Sequence, residues 1–358
     1  METRLPVKNL DVLRAVAVLS VVADHVGQLF GSRAGPLSVW ELGRMGVLLF
    51  FVHTALVLMS SLERQGSGER WVTAFYIRRA FRIYPLAMVC TLAYVSLHIP
   101  ASVRSLANPT NFIPLSLGDV IKNLALVQNL FGTPLPINVL WSLPIEVQMY
   151  VALPLCYLVA RRGPWSVAVL LAAAAGLWVC GVSLDLPGFW RLTVVNYGPC
   201  FLSGVLAYAL LRKPLTRSTL PGWTWYLVIV GVVGLTAGLH PGDESMPRNW
   251  LVCLPVGLAI PFIRELDASR LTRMAKVVCE YSYGIYLTHV AALWLAFVYF
   301  RELARAEQFA IFAATAALFA YASYHLIERP FVSTGKRIAS LVTRQHVGGL
   351  SAAIDTTL

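Results

Sequence analysis

An arginine and a histidine stand eleven residues apart in the first apolar stretch of the chain, Arg14 and His25 in LDVLRAVAVLSVVADH (10–25). Three turns of α-helix take about 10.8 residues, so the two share one face, separated by roughly 16 Å along the axis. Ionisable groups are costly inside lipid, and a membrane chain keeps them there for a site or a pathway. A neutral imidazole accepts a hydroxyl proton near pH 7 and can return it to a leaving group, which makes His25 a candidate general base. Asp24 precedes it in sequence but lies about 100° around the helix. Either Asp24 or a carboxylate on another helix, such as Glu146 in LWSLPIEVQMY (140–150), is a candidate to orient the ring. His25, Glu146 and Asp24 are thus the catalytic candidates.

A second cluster lies in FYIRRAFRIYP (75–85). Arg78 and Arg82 are four apart and share a helix face, with Arg79 beside them. Guanidinium groups grip phosphates through forked hydrogen bonds. With Arg14 they form the candidate binding set for a phosphate-bearing cosubstrate. His53, in LLFFVHTALVLMSS, and His289, in YSYGIYLTHV, also fall within apolar runs and are candidates to line the same cavity. These histidines and Glu146 have no short ligand spacing, so no metal is expected. No Walker loop or dinucleotide glycine motif is present, and nothing points to ATP or NAD.

These groups need elements that hold them in lipid. The chain has 358 residues, 57% hydrophobic and 13% charged, with a mean hydropathy of +0.66. A soluble domain carries about 25% charged residues. A spanning helix needs roughly 20 apolar residues, and windows of that size fall at 10–30, 44–62, 83–100, 141–160, 165–182, 194–211, 223–240, 248–263, 280–300 and 308–327. The expected fold is an all-α polytopic membrane bundle of about ten transmembrane helices. Placing Arg4 and Lys8 in the cytoplasm puts 20 of the 29 Lys and Arg on that side and eight on the other, with Arg14 inside the first span. That bias sets both termini in the cytoplasm. It also accounts for the net charge of +11 without nucleic acid. The first apolar stretch has no small-x-small cleavage site and reads as a span, not a signal peptide. The six cysteines are scattered and read as small core hydrophobes. Residues 101–140 form the longest outer segment. In it, DVIKNLALVQNLFG (119–132) is too short to span and reads as an interfacial or re-entrant helix able to line an acceptor entrance. Residues 338–358 read as a flexible cytoplasmic tail.

Together with GVLLFF (46–51) and HLIERPF (325–331), these motifs follow one another in an order that resembles the acyltransferase-3 family of integral membrane O-acyltransferases, across about residues 8–335. The resemblance implies one membrane acyltransferase domain over 8–335, in a bacterial cytoplasmic (inner) membrane. It implies an acyl-CoA donor, most often acetyl-CoA, approached from the cytoplasm, and an acceptor hydroxyl on a cell-surface or lipid-linked glycan. His25 matches the family's essential histidine and Arg14 its paired arginine. Arg78, Arg79 and Arg82 match the basic motif associated with coenzyme handling. Glu146 matches the glutamate of its WSL-x-x-E segment, and His289 the late Tyr-Leu-x-His histidine. The chain departs from the family after GVLLFF, where a Ser-Gly pair is usual and VHTALVLMSS stands instead, with His53 and Thr54 at that place. That departure changes the shape of the local cavity.

Other readings differ in the acceptor or the class of function. In one, the acceptor is a small hydroxylated metabolite such as a macrolide. A secondary transporter would use the same intramembrane charges, but its usual inverted repeat is not evident. A non-catalytic sensor would bind without turnover. The sequence sets no oligomeric state.

Overall fold

The computed structural model describes residues 5–30, 40–65, 70–101, 114–186, 188–213, 219–238 and 246–355. The chain is all-α. Among the described residues there is no sheet, and one isolated bridge joins Leu220 to Ile263. The helices are α1 (Val7–Leu29), α2 (Trp40–Gln65), α3 (Trp71–Ser96), α4 (Leu117–Leu124), α5 (Ser142–Arg162), α6 (Pro164–Ser183), α7 (Thr193–Leu211), α8 (Thr224–Gly238), α9 (Met246–Ala259), α10 (Arg270–Trp294), α11 (Arg305–Ala322) and α12 (Arg329–Asp355). The segment read as a tail therefore begins inside α12.

Six helices, not the ten expected, are long and apolar enough to cross a membrane among the described residues: Glu41–Gln65, Asn138–Arg162, Pro164–Ser183, Thr193–Leu211, Arg270–Tyr299 and Arg305–Thr343. The other four windows are helical as well, but fall outside this set for two reasons. Over the described residues α8 and α9 run for 15 and 14 residues, fewer than the roughly 20 that hydrocarbon requires. α1 and α3 have 23 and 26 residues, but α1 carries Lys8, Asp11, Arg14 and Asp24, and α3 carries Arg78, Arg79 and Arg82. Of these charges, Arg14, Asp24, Arg79 and Arg82 line the interior cavities.

Lipid tails are as apolar as leucine, so membrane helices associate through close packing, and small residues let backbones approach. Gly46 on α2 is such a residue. A Cβ there would run into the carbonyl oxygen of Ala17 on α1. Gly204 on α7 does the same against Val52, on another face of α2, where Phe51 stacks on Phe201 at 4.4 Å. The packing order α1–α2–α7 forms the centre, with α9 on α7, α10 on α1, α11 on α10, and α12 on α3.

One end of the bundle is fastened by the start of α1. The Asn9 side chain donates to the Arg264 carbonyl (3.1 Å) and accepts from the Leu266 amide (2.8 Å), while Trp225 Nε1 donates to the Asn9 carbonyl (2.9 Å). The opposite end is closed by the chain before α5. Here α4 starts on a capping box between Ser116 and Asp119. The following chain tucks inward, burying Leu126, Ile137, Val139 and Leu140. The sequence 119–132, expected as an interfacial or re-entrant helix, thus forms α4 and a short turn at Gln128–Phe131. Residues 102–113 of the same expected segment, with Arg104, lie outside the described residues, as does Arg33.

Candidate functional site: two cavities and a histidine pair

α1 and α10 run side by side in the same direction, and two contacts tie the charged face of α1 to α10. In the first half of α1, Arg14 Nε donates to Ser282 Oγ, midway along α10, at 2.7 Å, with its guanidinium 5.8 Å from the Phe50 ring. Toward their ends, His25 Nδ1 and His289 Nε2 lie 2.9 Å apart. Ser282, Tyr286 and His289 follow one another by four and three residues, which places them on one face of α10.

Two cavities open along this seam. The first holds about 700 Å³ of empty space and is lined by Arg14, His53, Arg79, Arg82, Glu146 and Ser282, among others. The second holds about 740 Å³ and is lined by Asp24, His25, Glu41, Asn138, Trp141 and Tyr197, among others. Val47 and Tyr286 line both, so these two side chains form the partition. Tyr286 is fixed in place. Its hydroxyl donates to the Val139 carbonyl (2.8 Å) and lies 2.8 Å from Ser142 Oγ. The carbonyl claims the phenol hydrogen, so Ser142 donates to Tyr286.

The histidine pair has a definite tautomer when both rings are neutral. His289 Nδ1 lies 3.0 Å from the Ile285 carbonyl, which only accepts, so that nitrogen carries hydrogen. His289 Nε2 is then an acceptor. His25 Nδ1 must be the donor, shared between His289 Nε2 and the Val21 carbonyl at 3.0 Å. His25 Nε2 is left with its lone pair, on a ring that lines the second cavity. A lone pair held so is the form a general base requires.

Asp24 lines the same cavity as His25, and its Oδ2 accepts from Gln28 Nε2 at 2.8 Å. Glu146 lines the arginine cavity, where it accepts from the Tyr150 hydroxyl at 2.8 Å. The ring partner of His25 is thus His289, and the two carboxylates hold other groups. His53 lines the arginine cavity. Among the described residues, no three His, Cys, Asp or Glu side chains gather as a metal would require.

The arginine motif divides. Arg79 and Arg82, three apart, line the first cavity. Arg78 turns instead to Gln65 at the end of α2, to which it donates. Arg82 Nη1 donates to Glu328 Oε2 at 2.5 Å, with the glutamate side chain fully buried. Glu328 closes a π-helical stretch, Ser323–Glu328, between α11 and α12, an irregularity that recurs at functional sites. Removing one partner of a buried pair leaves the other uncompensated. Glu328→Ala is expected to cost about 3 kcal/mol and Glu328→Gln, which keeps an acceptor, clearly less. Thermal unfolding in detergent checks this ranking, and equal losses would mean that the charge is not what Arg82 needs.

Sequence reasoning did not single out Tyr286, Ser142, Trp141 or Ser282. A signal for Ser282 and Tyr286 existed: with His289 they make a polar face at helical spacing inside YSYGIYLTH. Trp141 and Ser142 stand together in LWSLPIEVQMY, and the turn into α5 sends them to different cavities.

A family profile described as an acyltransferase domain matches residues 7–325. Nodulation protein 10 of Rhizobium leguminosarum bv. viciae is 24% identical, over 80% of this chain and 82% of that protein. Acyltransferase MdmB of Streptomyces mycarofaciens is 33% identical, over 80% of this chain and 78% of that protein. A putative peptidoglycan O-acetyltransferase of Bacillus subtilis, YrhL, is 26% identical over 92% of this chain, which spans 56% of that protein. No solved structure matches. With the profile running from the start of α1 into the turn that ends at Glu328, the chain belongs to the acyltransferase-3 family of membrane acyltransferases.

Proposed function

We propose that this protein moves an acyl group, acetyl in the first instance, from cytoplasmic acyl-CoA to a hydroxyl of a cell-surface or lipid-linked glycan. The observation that carries the reading is the pair of cavities meeting at Val47 and Tyr286, one lined by Arg14, Arg79 and Arg82 and the other by His25 with Arg44. The end of the bundle that gathers Lys8 and Arg264 is the cytoplasmic one by charge bias. The arginine cavity then receives the donor through Arg14, Arg79 and Arg82, with Arg78 bracing α3 against α2. The histidine cavity receives the acceptor. Its Trp141 and Tyr197 rings lie 5.8 Å apart, beside Asp24, Glu41 and Asn138. Aromatic faces flanked by hydrogen-bonding side chains suit a sugar better than a lipophilic metabolite.

His25 Nε2 takes the proton of the acceptor hydroxyl as its oxygen attacks the thioester carbonyl. The new C–O bond forms, the C–S bond breaks, and the proton passes to the leaving thiolate. Direct transfer needs both substrates aligned at once, which a shared partition allows. Among the described residues lining the histidine cavity there is no serine, threonine or cysteine to carry an acyl-enzyme.

The test is to express the chain in a host lacking its own O-acetyltransferases, supply labelled acetate, and analyse extracted envelope glycans. Base-labile labelled acetyl esters are expected only when the chain is present. Label absent from glycans but present on small extracted metabolites would reject the acceptor class. Label absent from both would reject acetyl transfer.

A further inference from the structure

His53 differs from the other two intramembrane histidines on the site. His25 and His289 each place Nδ1 on the carbonyl one turn back, Val21 and Ile285. His53 has Nδ1 buried with no hydrogen-bond partner. Its side chain is only 5% exposed and lines the arginine cavity. An orphaned polar atom at such depth costs about 1–3 kcal/mol, and native sites tolerate it where a ligand completes it. Among the described residues lining this cavity, no other side chain has a buried polar atom left without a partner. Arg14 has Ser282, Arg82 has Glu328, Glu146 has Tyr150, and Ser142 has Tyr286.

We propose that His53 hydrogen-bonds an amide of the pantetheine arm of the acyl donor, and so is a donor-binding residue of this chain. The inference rests on the acyl-CoA reading above. An anionic ligand group would go to the arginines; a lone neutral imidazole nitrogen suits a neutral polar group. Position selects which one. His53 lies six residues along α2 from Val47 at the partition, about 9 Å of axial rise. In an extended pantetheine arm the amide farther from sulfur begins seven bonds from it, again about 9 Å at roughly 1.25 Å per bond. A thioester at the partition therefore puts that amide level with His53.

The test uses the full chain in nanodiscs as wild type, His53→Leu and His53→Asn, with two donors: acetyl-CoA, and S-acetyl-N-acetylcysteamine, which keeps only the amide nearer the sulfur. H53L is expected to raise the KM for acetyl-CoA and the Kd for CoA roughly 3- to 10-fold, the worth of one hydrogen bond. H53N, which keeps a polar atom near the Nδ1 position, is expected to recover most of that loss. The KM for the truncated donor is expected to be alike in all three proteins. Equal losses on both donors, no loss on either, or H53N as impaired as H53L would overturn the assignment. Folded wild type that binds no CoA and consumes no acetyl-CoA would instead overturn the donor reading itself, and this inference with it.

Discussion

His25→Ala is expected to lower acceptor-dependent acyl transfer by roughly 10³-fold, within the range that removal of a general base produces, while CoA binding stays close to wild type. The reason is positional. His25 lines the histidine cavity and its Nε2 is the ring nitrogen left with a lone pair, whereas Arg14, Arg79 and Arg82 line the other side of Val47 and Tyr286. A truncation at His25 therefore removes the proton acceptor without touching Arg14, Arg79 or Arg82. Labelled acetyl transfer by purified protein in nanodiscs, together with CoA titration and thermal unfolding, measures the three quantities separately. Turnover within tenfold of wild type in a folded variant would sink the base assignment. Loss of CoA affinity of the same size would show that the two cavities are not functionally separate.

The second large effect is expected at a residue outside the reach of both substrates. His289 is fully buried, and its Nε2 accepts from His25 Nδ1. His289→Leu removes that acceptor. His25 then holds its reactive tautomer through the Val21 carbonyl alone, and the form with hydrogen on Nε2, useless as a base, gains population. Loss of the tautomer-fixing partner costs about 10⁴-fold in serine proteases. Because Val21 remains, roughly 10²-fold in kcat is the expectation here. His289→Gln offers an amide oxygen to His25 and is expected to recover about tenfold of that loss, by the worth of a hydrogen bond. KM for donor and acceptor should change far less than kcat in both variants. A KM and kcat that fall together, or no rescue by glutamine, would mark His289 as a packing residue.

The face that joins Arg14 to His25 was legible from spacing alone, because helical periodicity is local. The contact between His25 and His289 was not, since it links α1 to a helix 264 residues later, and no single sequence encodes which faces meet. For the same reason Asp24 and Glu146 stood as equal candidates for orienting the ring, while the structure gives Asp24 to Gln28 and Glu146 to Tyr150. The arginine motif divides between two places. Arg78 and Arg82 share the i,i+4 spacing, but Arg78 is drawn off by Gln65 at the end of α2, leaving Arg79 and Arg82 on the cavity. The all-α membrane class followed from composition. The number of spans did not, because a hydropathy window counts apolar stretches such as those of α8 and α9 as full crossings, whereas the described residues give these helices 15 and 14 residues, fewer than the roughly 20 of a full span.

The Val47–Tyr286 partition is two side chains wide, and Tyr286 is held at both of its polar contacts. Under the acyl-transfer reading, the coenzyme stays on one face and the sugar on the other, and only a two-carbon fragment changes sides. The cell would then decorate its exterior without building an export route for an activated metabolite. The insulating property of the bilayer, on which its ion gradients depend, would be kept throughout each catalytic cycle.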